Sequence, residues 1–408
     1  MTEWTNDVAT ADPLPADPSG PGAALLRWIC TRLACGALTI VTPEGGRISH
    51  RAVRAAPEAT LLLHRWRTLR RLATGGDVGF AEAYIDGDWS SPDLTALIEL
   101  SLRNEAAFAG LVDGPLPARL LNRLLHWLRA NTRAGSRRNI MQHYDLGNDF
   151  YRAWLDPGMS YSAALYRDGE MTLAAAQSAK QDRVLALLEP EPGQSVLEIG
   201  CGWGGILARL AERGCTVTGL TLSPAQRDHA VATLAAAGLA DRADIRLQDY
   251  RDVEGSYDRI VSIEMLEAVG EAYWPLYFDQ LRRRLRSGGT AVLQVITIAD
   301  DRFESYRRAP DFIQRHVFPG GMLPSPSALR AQIARAGLRL DTVEFFGACY
   351  ARTLRDWRER FDAAWPEIAA MGFPPRFRRL WDYYLCYCQA GFRAGAVDVG
   401  LWRLGRVP

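Results

Sequence analysis

The chain has 408 residues, 48% of them hydrophobic and 10% aromatic, enough for one large packed domain with a smaller companion. Its formal net charge of +1 excludes a protein that holds nucleic acid through a bulk positive field. Almost all the cationic charge is arginine, which grips phosphate bidentately; Lys180 is the only lysine.

Residues 1–22 are rich in Pro, Asp, Gly and Ala, and the composition predicts disorder. A helix is expected over "ALLRWICTRL" and a strand over "GALTIVTP". The glycines and "DGDW" of the stretch from Gly76 to Asn104 predict turns before a closing helix. Residues 23–112 thus read as a small α+β domain. Residues 113–135 read as a linker helix, with Leu121, Leu124, Leu125 and Leu128 at helical spacing among Arg119, Arg123, Arg129 and Arg133. Such a helix either lies in an anionic lipid interface or packs on its own protein with a solvated arginine face.

The remainder, 136–408, is expected to be a catalytic domain. Strands over "QSVLEIG", "CTVTGLTLS", "ADIRLQD", "YDRIVSIEM" and "TAVLQVITI" alternate with helices over "GGILARLAERG", "PAQRDHAVATLAAAGL" and "YWPLYFDQLRRRLRSGG". That alternation predicts a parallel, doubly wound α/β sheet. The cysteines at 30, 35, 201, 215, 349, 386 and 388 have no zinc-like spacing, which fits a reducing cytoplasm. No signal peptide is expected at the N-terminus, and no run of about 18 apolar residues exists to span a bilayer.

The chemistry sits at "VLEIGCGWGGI", Val196 to Ile206. A dinucleotide site wants GxGxxG and an acid about 20 residues on. Here the spacing is GxGxG, and the second strand ends in "GLTLS", without an acid. A phosphate loop would want GK[ST], also missing. S-adenosylmethionine carries no phosphate, and the acids around the loop suit it. Glu198 suits the cationic end of that ligand, and Asp249, ending the third strand, is placed to accept from the adenine amino group. A class I methyltransferase is the expected fold.

Seven blocks in order extend the reading: "HYDLGNDFYRAWLDPGMSYS", "VLEIGCGWGG", "GLTLSPAQ", "EMLEAVG", "FPGGMLPS", "YARTLRDW" and "YLCYCQAGF". With "EAYIDGDW" nearer the N-terminus, the chain resembles the cyclopropane fatty acyl phospholipid synthase family, which includes the mycolic acid cyclopropane synthases. The resemblance implies methyl transfer from S-adenosylmethionine to a cis double bond of a phospholipid acyl chain, giving a carbocation that closes to a cyclopropane on proton loss. An alkene is a weak nucleophile, so the site must align the donor, exclude water and supply a base. Tyr161, Tyr166, Trp203, Tyr250, Phe318 and Tyr350 are candidate aromatic liners for the cation.

By the same resemblance the cofactor site comprises Tyr161, Ser162, Glu198, Gly200, Cys201, Gly202, Gly204, Thr221, Leu222, Gln226, Asp249 and Tyr250, with Thr221, Leu222 and Gln226 on the ribose. The implied base is a bound bicarbonate, for which Glu267, Tyr350 and Ile296 match the family's ligands. Two other ligands depart: Ala163 stands where the family has Cys, and Gln294 where it has His. Either bicarbonate binds through Gln294 and Tyr350, or Glu267 works with water. Deprotonation after a hydride shift would give a methyl- or methylene-branched chain instead of a ring. Cys388 aligns with a cysteine assigned as active, for which a structural or channel-lining role fits a carbocation route better. His143 is expected to order a lid, or to be a packed structural histidine. "FPGGMLPS" is expected to shape the acyl entrance.

Two other functions stay open: a small-molecule methyltransferase and a non-catalytic lipid or cofactor binder. The expected setting is cytoplasmic, peripheral to the inner face of the membrane. The expected partner is an unsaturated phospholipid rather than nucleic acid, and the resemblance implies a homodimer.

Overall fold

The computed structural model describes residues 18–108, 146–308 and 311–407. His143, the linker helix expected over residues 113–135 and residues 1–17 lie outside them. Helix α1 (Pro21–Thr31) begins inside the segment whose composition predicts disorder, because Pro21 at its first turn loses no helical hydrogen bond there.

Residues 18–108 form the small domain. A four-stranded sheet has the order β2-β1-β3-β4, from β1 (Cys35–Val41), β2 (Arg47–Arg51), β3 (Arg54–Leu63) and β4 (Trp89–Ser90). Alternation in "GALTIV" buries Leu38 and Ile40 on one face. Helix α2 (Arg67–Ile85) carries a break at Gly76 (φ 61°, ψ −143°), a conformation open to glycine, and Asp77 restarts the helix by accepting from the Val78 amide at 2.7 Å. Helices α3 (Leu94–Arg103) and α4 (Glu105–Phe108) complete the domain.

The larger domain opens with α5 (Asn148–Trp154) and α6 (Leu173–Leu188). The alternating part follows: β5 (Ser195–Ile199), α7 (Gly205–Glu212), β6 (Thr216–Thr221), α8 (Pro224–Ala236), β7 (Ala243–Leu247), β8 (Tyr257–Ile263), α9 (Trp274–Arg284) and β9 (Leu285–Ile298). Helices α10 (Asp300–Tyr306), α11 (Phe312–His316) and α12 (Pro326–Arg335) lead to β10 (Leu338–Phe345). Helices α13 (Gly347–Ala363), α14 (Trp365–Ala370) and α15 (Pro375–Ala394) precede β11 (Val397–Arg406). The seven strands run β10-β11-β9-β8-β5-β6-β7. The expected sheet is therefore corrected in one respect. β11 pairs antiparallel with both β9 and β10, so the sheet is mixed rather than all parallel.

The strand order reverses at β5: the chain proceeds outward to β6 and β7, then returns to place β8 on the other side of β5, all four strands parallel. In such sheets ligands bind beyond the carboxyl ends of the strands at that switch point. The loops after β5 and β8 emerge there side by side.

The two domains share one hydrophobic cluster that includes Leu26, Ile40 and Leu61 on one side and Trp357, Trp381 and Leu385 on the other. Helix α15 is the contact: Tyr84 Oη donates to Asp382 Oδ2 at 2.5 Å, and Thr95 Oγ1 to Gln389 Oε1 at 2.9 Å. Buried polar pairs of this kind fix register because leaving either partner unpaired is costly.

Candidate active site

One cavity of about 600 Å³ runs from the glycine loop, past α15, into the small domain. At the loop, Gly200, Gly202 and Gly204 adopt φ of 80°, 53° and 92°, a region that favours glycine. A Cβ added at Gly202 would meet no atom within 4 Å, so the backbone there faces open space. Leu220 O ties the loop down by accepting from the Gly200 and Cys201 amides at 3.0 and 2.9 Å. Thr221, Leu222, Gln226, Gln248 and Tyr250 continue the wall, with Thr221 Oγ1 donating to Gln226 Oε1 at 2.9 Å.

Several expected cofactor residues stand behind this wall. Ser162 is buried and accepts from Lys180 Nζ at 2.7 Å. Glu198 lies beneath the loop, held uncharged by burial that pushes its carboxyl up to about 8. Cys201 and Gly204 serve the turn itself, and Cβ growth at Gly204 would meet Ala230 at 3.0 Å. Asp249 is gripped by Arg251, whose Nε and Nη2 donate at 2.8 and 2.6 Å. Its neighbours Gln248 and Tyr250 face the cavity instead. Of the six aromatic candidates, Tyr161, Tyr250, Phe318 and Tyr350 line the cavity. Tyr166 turns away to Asp356 (2.7 Å), and Trp203 to Asn148 Oδ1 (2.8 Å). One face of α15 supplies Tyr383, Tyr384, Tyr387, Cys388, Gly391 and Phe392, residues at helical spacing.

The other wall brings the strand ends together. Ile263 pairs with Gln294 across β8 and β9, and the next residue, Glu264, turns with φ 48°. Its carboxylate faces the cavity and takes three donors. Oε1 accepts from Gln294 Nε2 at 2.6 Å and from the Ala163 amide at 2.9 Å. Oε2 accepts from Tyr350 Oη at 2.7 Å. Glu267, three residues on, accepts from the Ile296 amide at 2.6 Å, and its second oxygen has no partner among the described residues.

These environments separate the two carboxyls. Burial raises both. At Glu264 three donors and the field of Lys180 oppose part of it, and the carboxyl stays above its usual range. At Glu267 burial and the neighbouring Glu264 charge push the carboxyl up to about 8, so it stays protonated at neutral pH. Three donors converging on Glu264 suit an anion there, and the unpartnered second oxygen of Glu267 suits an acid.

The donors expected for bicarbonate are engaged within the protein. Gln294 and Tyr350, the donors proposed for that ion, are spent on Glu264, and the Ala163 amide joins them. A second anion in the same donor set would sit against a carboxylate, which like-charge repulsion opposes. Nor does Cys388 present a thiolate: burial raises its thiol well above the usual range, and it lines the channel as a small apolar group. The "FPGGMLPS" turn lines the cavity through Phe318, Pro319, Gly321, Met322 and Leu323.

Glu264 is the functional residue that sequence reasoning passes over. It lies inside the quoted strand "YDRIVSIEM", and its one signal is an acid ending a buried strand three residues before Glu267. Lys180 carries no signal in the sequence beyond being the lone lysine. It is buried, and its charge acts on Glu264, Asp156 and Glu198.

Comparison with known proteins agrees with this geometry. The family model for mycolic acid cyclopropane synthetase matches residues 131–402. The chain is 40% identical to the tuberculostearic acid methyltransferase UfaA1 of Mycobacterium tuberculosis, over 95% of this chain and 93% of the relative. It is 35% identical to the cyclopropane-fatty-acyl-phospholipid synthase of Escherichia coli K12, over 86% and 89% respectively. The structure of mycolic acid cyclopropane synthase CmaA1 complexed with SAH and CTAB matches with a TM-score of 0.62 at 31% identity, covering 66% of this chain and 98% of that one. A glycine turn open to a ligand, two divided carboxyls and an aromatic channel thus belong to a member of the mycolic acid cyclopropane synthetase family, an S-adenosylmethionine-dependent methyltransferase that modifies lipid acyl chains.

Proposed function

We propose that this enzyme methylates a cis double bond of a phospholipid acyl chain and that Glu264 is the base that removes the resulting proton. The observation carrying the proposal is the Glu264 carboxylate, facing the channel on three fixed donors. Bound S-adenosylmethionine supplies an electrophilic methyl to one alkene carbon. The open backbone at Gly202 and the Thr221–Gln226 pair would hold it. Tyr161 and Tyr384, joined Oη to Oη at 2.9 Å, present ring faces that stabilise positive charge on the acyl chain while excluding water. Glu264 then takes a proton from the new methyl.

Where that C–H electron pair goes decides the product. Directed to the neighbouring cationic carbon, it closes a cyclopropane. After a 1,2-hydride shift it forms a methylene branch, with the same atoms. The branched product is the reading we favour, in line with a relative named for tuberculostearic acid. Ring closure is the second reading, supported by the cyclopropane synthases among the relatives. Mass spectrometry and NMR of lipids from a host expressing the enzyme test both; the expected signal is a methylene branch, or a methyl branch where a reductase of the host adds hydride and a proton to it. Unmodified monounsaturated chains would remove the proposal.

Access from a membrane surface completes the reading. Val53 is fully exposed between Arg51 and Arg54, and Trp28 is 42% exposed with Arg32 stacked 4.1 Å over its ring. No helix among the described residues is long and apolar enough to cross a membrane. Turnover on anionic vesicles is expected to fall as salt screens arginine–phosphate attraction over about 8–10 Å.

A further inference from the structure

The cavity does not end at the chemistry. Beyond α15 it enters the small domain, where Leu26, Ile29, Ile40, Leu61, Leu63 and Ile98 line it. These residues come from α1, β1, β3 and α3, so the domain wraps the space on several sides and is hollow where a domain of this size would close its core. A preformed apolar cavity in contact with a reactive centre fits hydrocarbon.

We infer that the interior of the small domain holds the methyl-terminal segment of the acyl chain whose double bond lies at Glu264. The inference rests on the acyl-chain reading above. The lining argues for the methyl end over the carboxyl or headgroup end. Asp77, Glu105 and Asp311 line this half of the cavity and its junction with the other, and all are acids. Arg302 is the one cationic side chain among the described lining residues, and it is already ion-paired with Glu105. A phosphate or carboxylate entering here would meet like charge and find no unspent cation among the described lining residues, whereas a methyl terminus needs neither. The small domain then acts as a gauge, because a tail of given length stops against its far wall and sets which carbon pair lies beside Glu264.

The test uses monounsaturated lipids in which the carboxyl-to-alkene distance is fixed and the methyl-side tail grows stepwise. In the wild-type enzyme kcat/KM is expected to rise about fourfold per added methylene until the space is filled. Ile98→Trp and Leu61→Phe, on different walls, should halt the rise at a shorter tail while S-adenosylmethionine titration stays as in wild type. A flat wild-type series overturns the inference without any variant. So does a limit that responds only to the carboxyl side, or a loss confined to two-tailed lipids, which would assign the space to a second chain. Displacement of a fluorescent polyene fatty acid by saturated alkyl chains reads the same space without turnover. Tail-dependent displacement that the variants shorten, with no alkene methylated, would preserve this inference and remove the function it rests on. Normal methylation with identical tail dependence in all three proteins would do the reverse.

Discussion

The two ends of the cavity are built on opposite principles. At the glycine loop and the ends of β8 and β9, polar groups punctuate the wall and are assigned partners: Thr221 to Gln226, Tyr350 and Gln294 to Glu264, the Ile296 amide to Glu267. Inside the small domain the wall is mostly aliphatic, from Leu26 to Ile98, and its few charged groups cluster toward the junction. The first end specifies atoms and the second specifies length. Precision in the first costs buried charge, which the donors around Glu264 offset. The second needs only shape and hydrocarbon area, about 0.8 kcal/mol for each methylene buried.

Substitutions at the two ends should therefore fail differently. Gly202→Val adds a side chain to the open space at a left-handed backbone position; S-adenosylmethionine affinity is expected to fall on the order of a hundredfold by titration calorimetry. Tyr350→Phe removes one donor from a charged acceptor. It should lower kcat by about 10- to 100-fold while cofactor affinity stays near wild type. An equal loss in both would mean that Tyr350 holds the fold rather than the base.

Glu267→Gln sharpens the charge assignment through stability. Between an unfolded value near 4.5 and the folded value of about 8, the native state binds the extra proton. The buried carboxyl therefore costs stability progressively as pH rises through that window, and no further above it. The variant should gain on wild type from pH 5 to pH 8 by a few kcal/mol, on the order of 1.4 kcal/mol for each pH unit crossed, and then level off. A constant difference across that range would contradict the protonated reading. The smallest effect belongs to Cys388→Ala, a channel position, where turnover should stay within about threefold of wild type.

The same contrast explains what could be read from the chain. "VLEIGCGWGG" is legible because a glycine at positive φ has no substitute, so the chemistry leaves its mark on residue type. The alternation from Ser195 to Ile298 is legible by period, but β10 and β11 are not. Their residues lie among the helices of the C-terminal part, and an antiparallel return beside β9 is a tertiary outcome. Glu264 stands in plain view yet goes unread, because its role arises from Ala163, Gln294 and Tyr350 meeting it from distant parts of the chain. Asp249 invites over-reading, since its partner Arg251 is two residues away and takes both oxygens. The hollow small domain leaves no mark at all: the leucines and isoleucines that line a cavity are the same ones that would fill it.

The account turns on Glu264 serving in place of an external anion, and Glu264→Gly tests this most directly. Glycine accepts the φ of 48° without strain and leaves the Ala163 amide, Gln294 and Tyr350 as an empty anion cradle. Turnover on monounsaturated vesicles should drop by about 10² to 10⁴ and recover in part as bicarbonate is added, while the wild-type enzyme stays indifferent to bicarbonate. Wild-type turnover that depends on bicarbonate, or a Glu264→Gly enzyme that keeps full activity without it, would contradict the account.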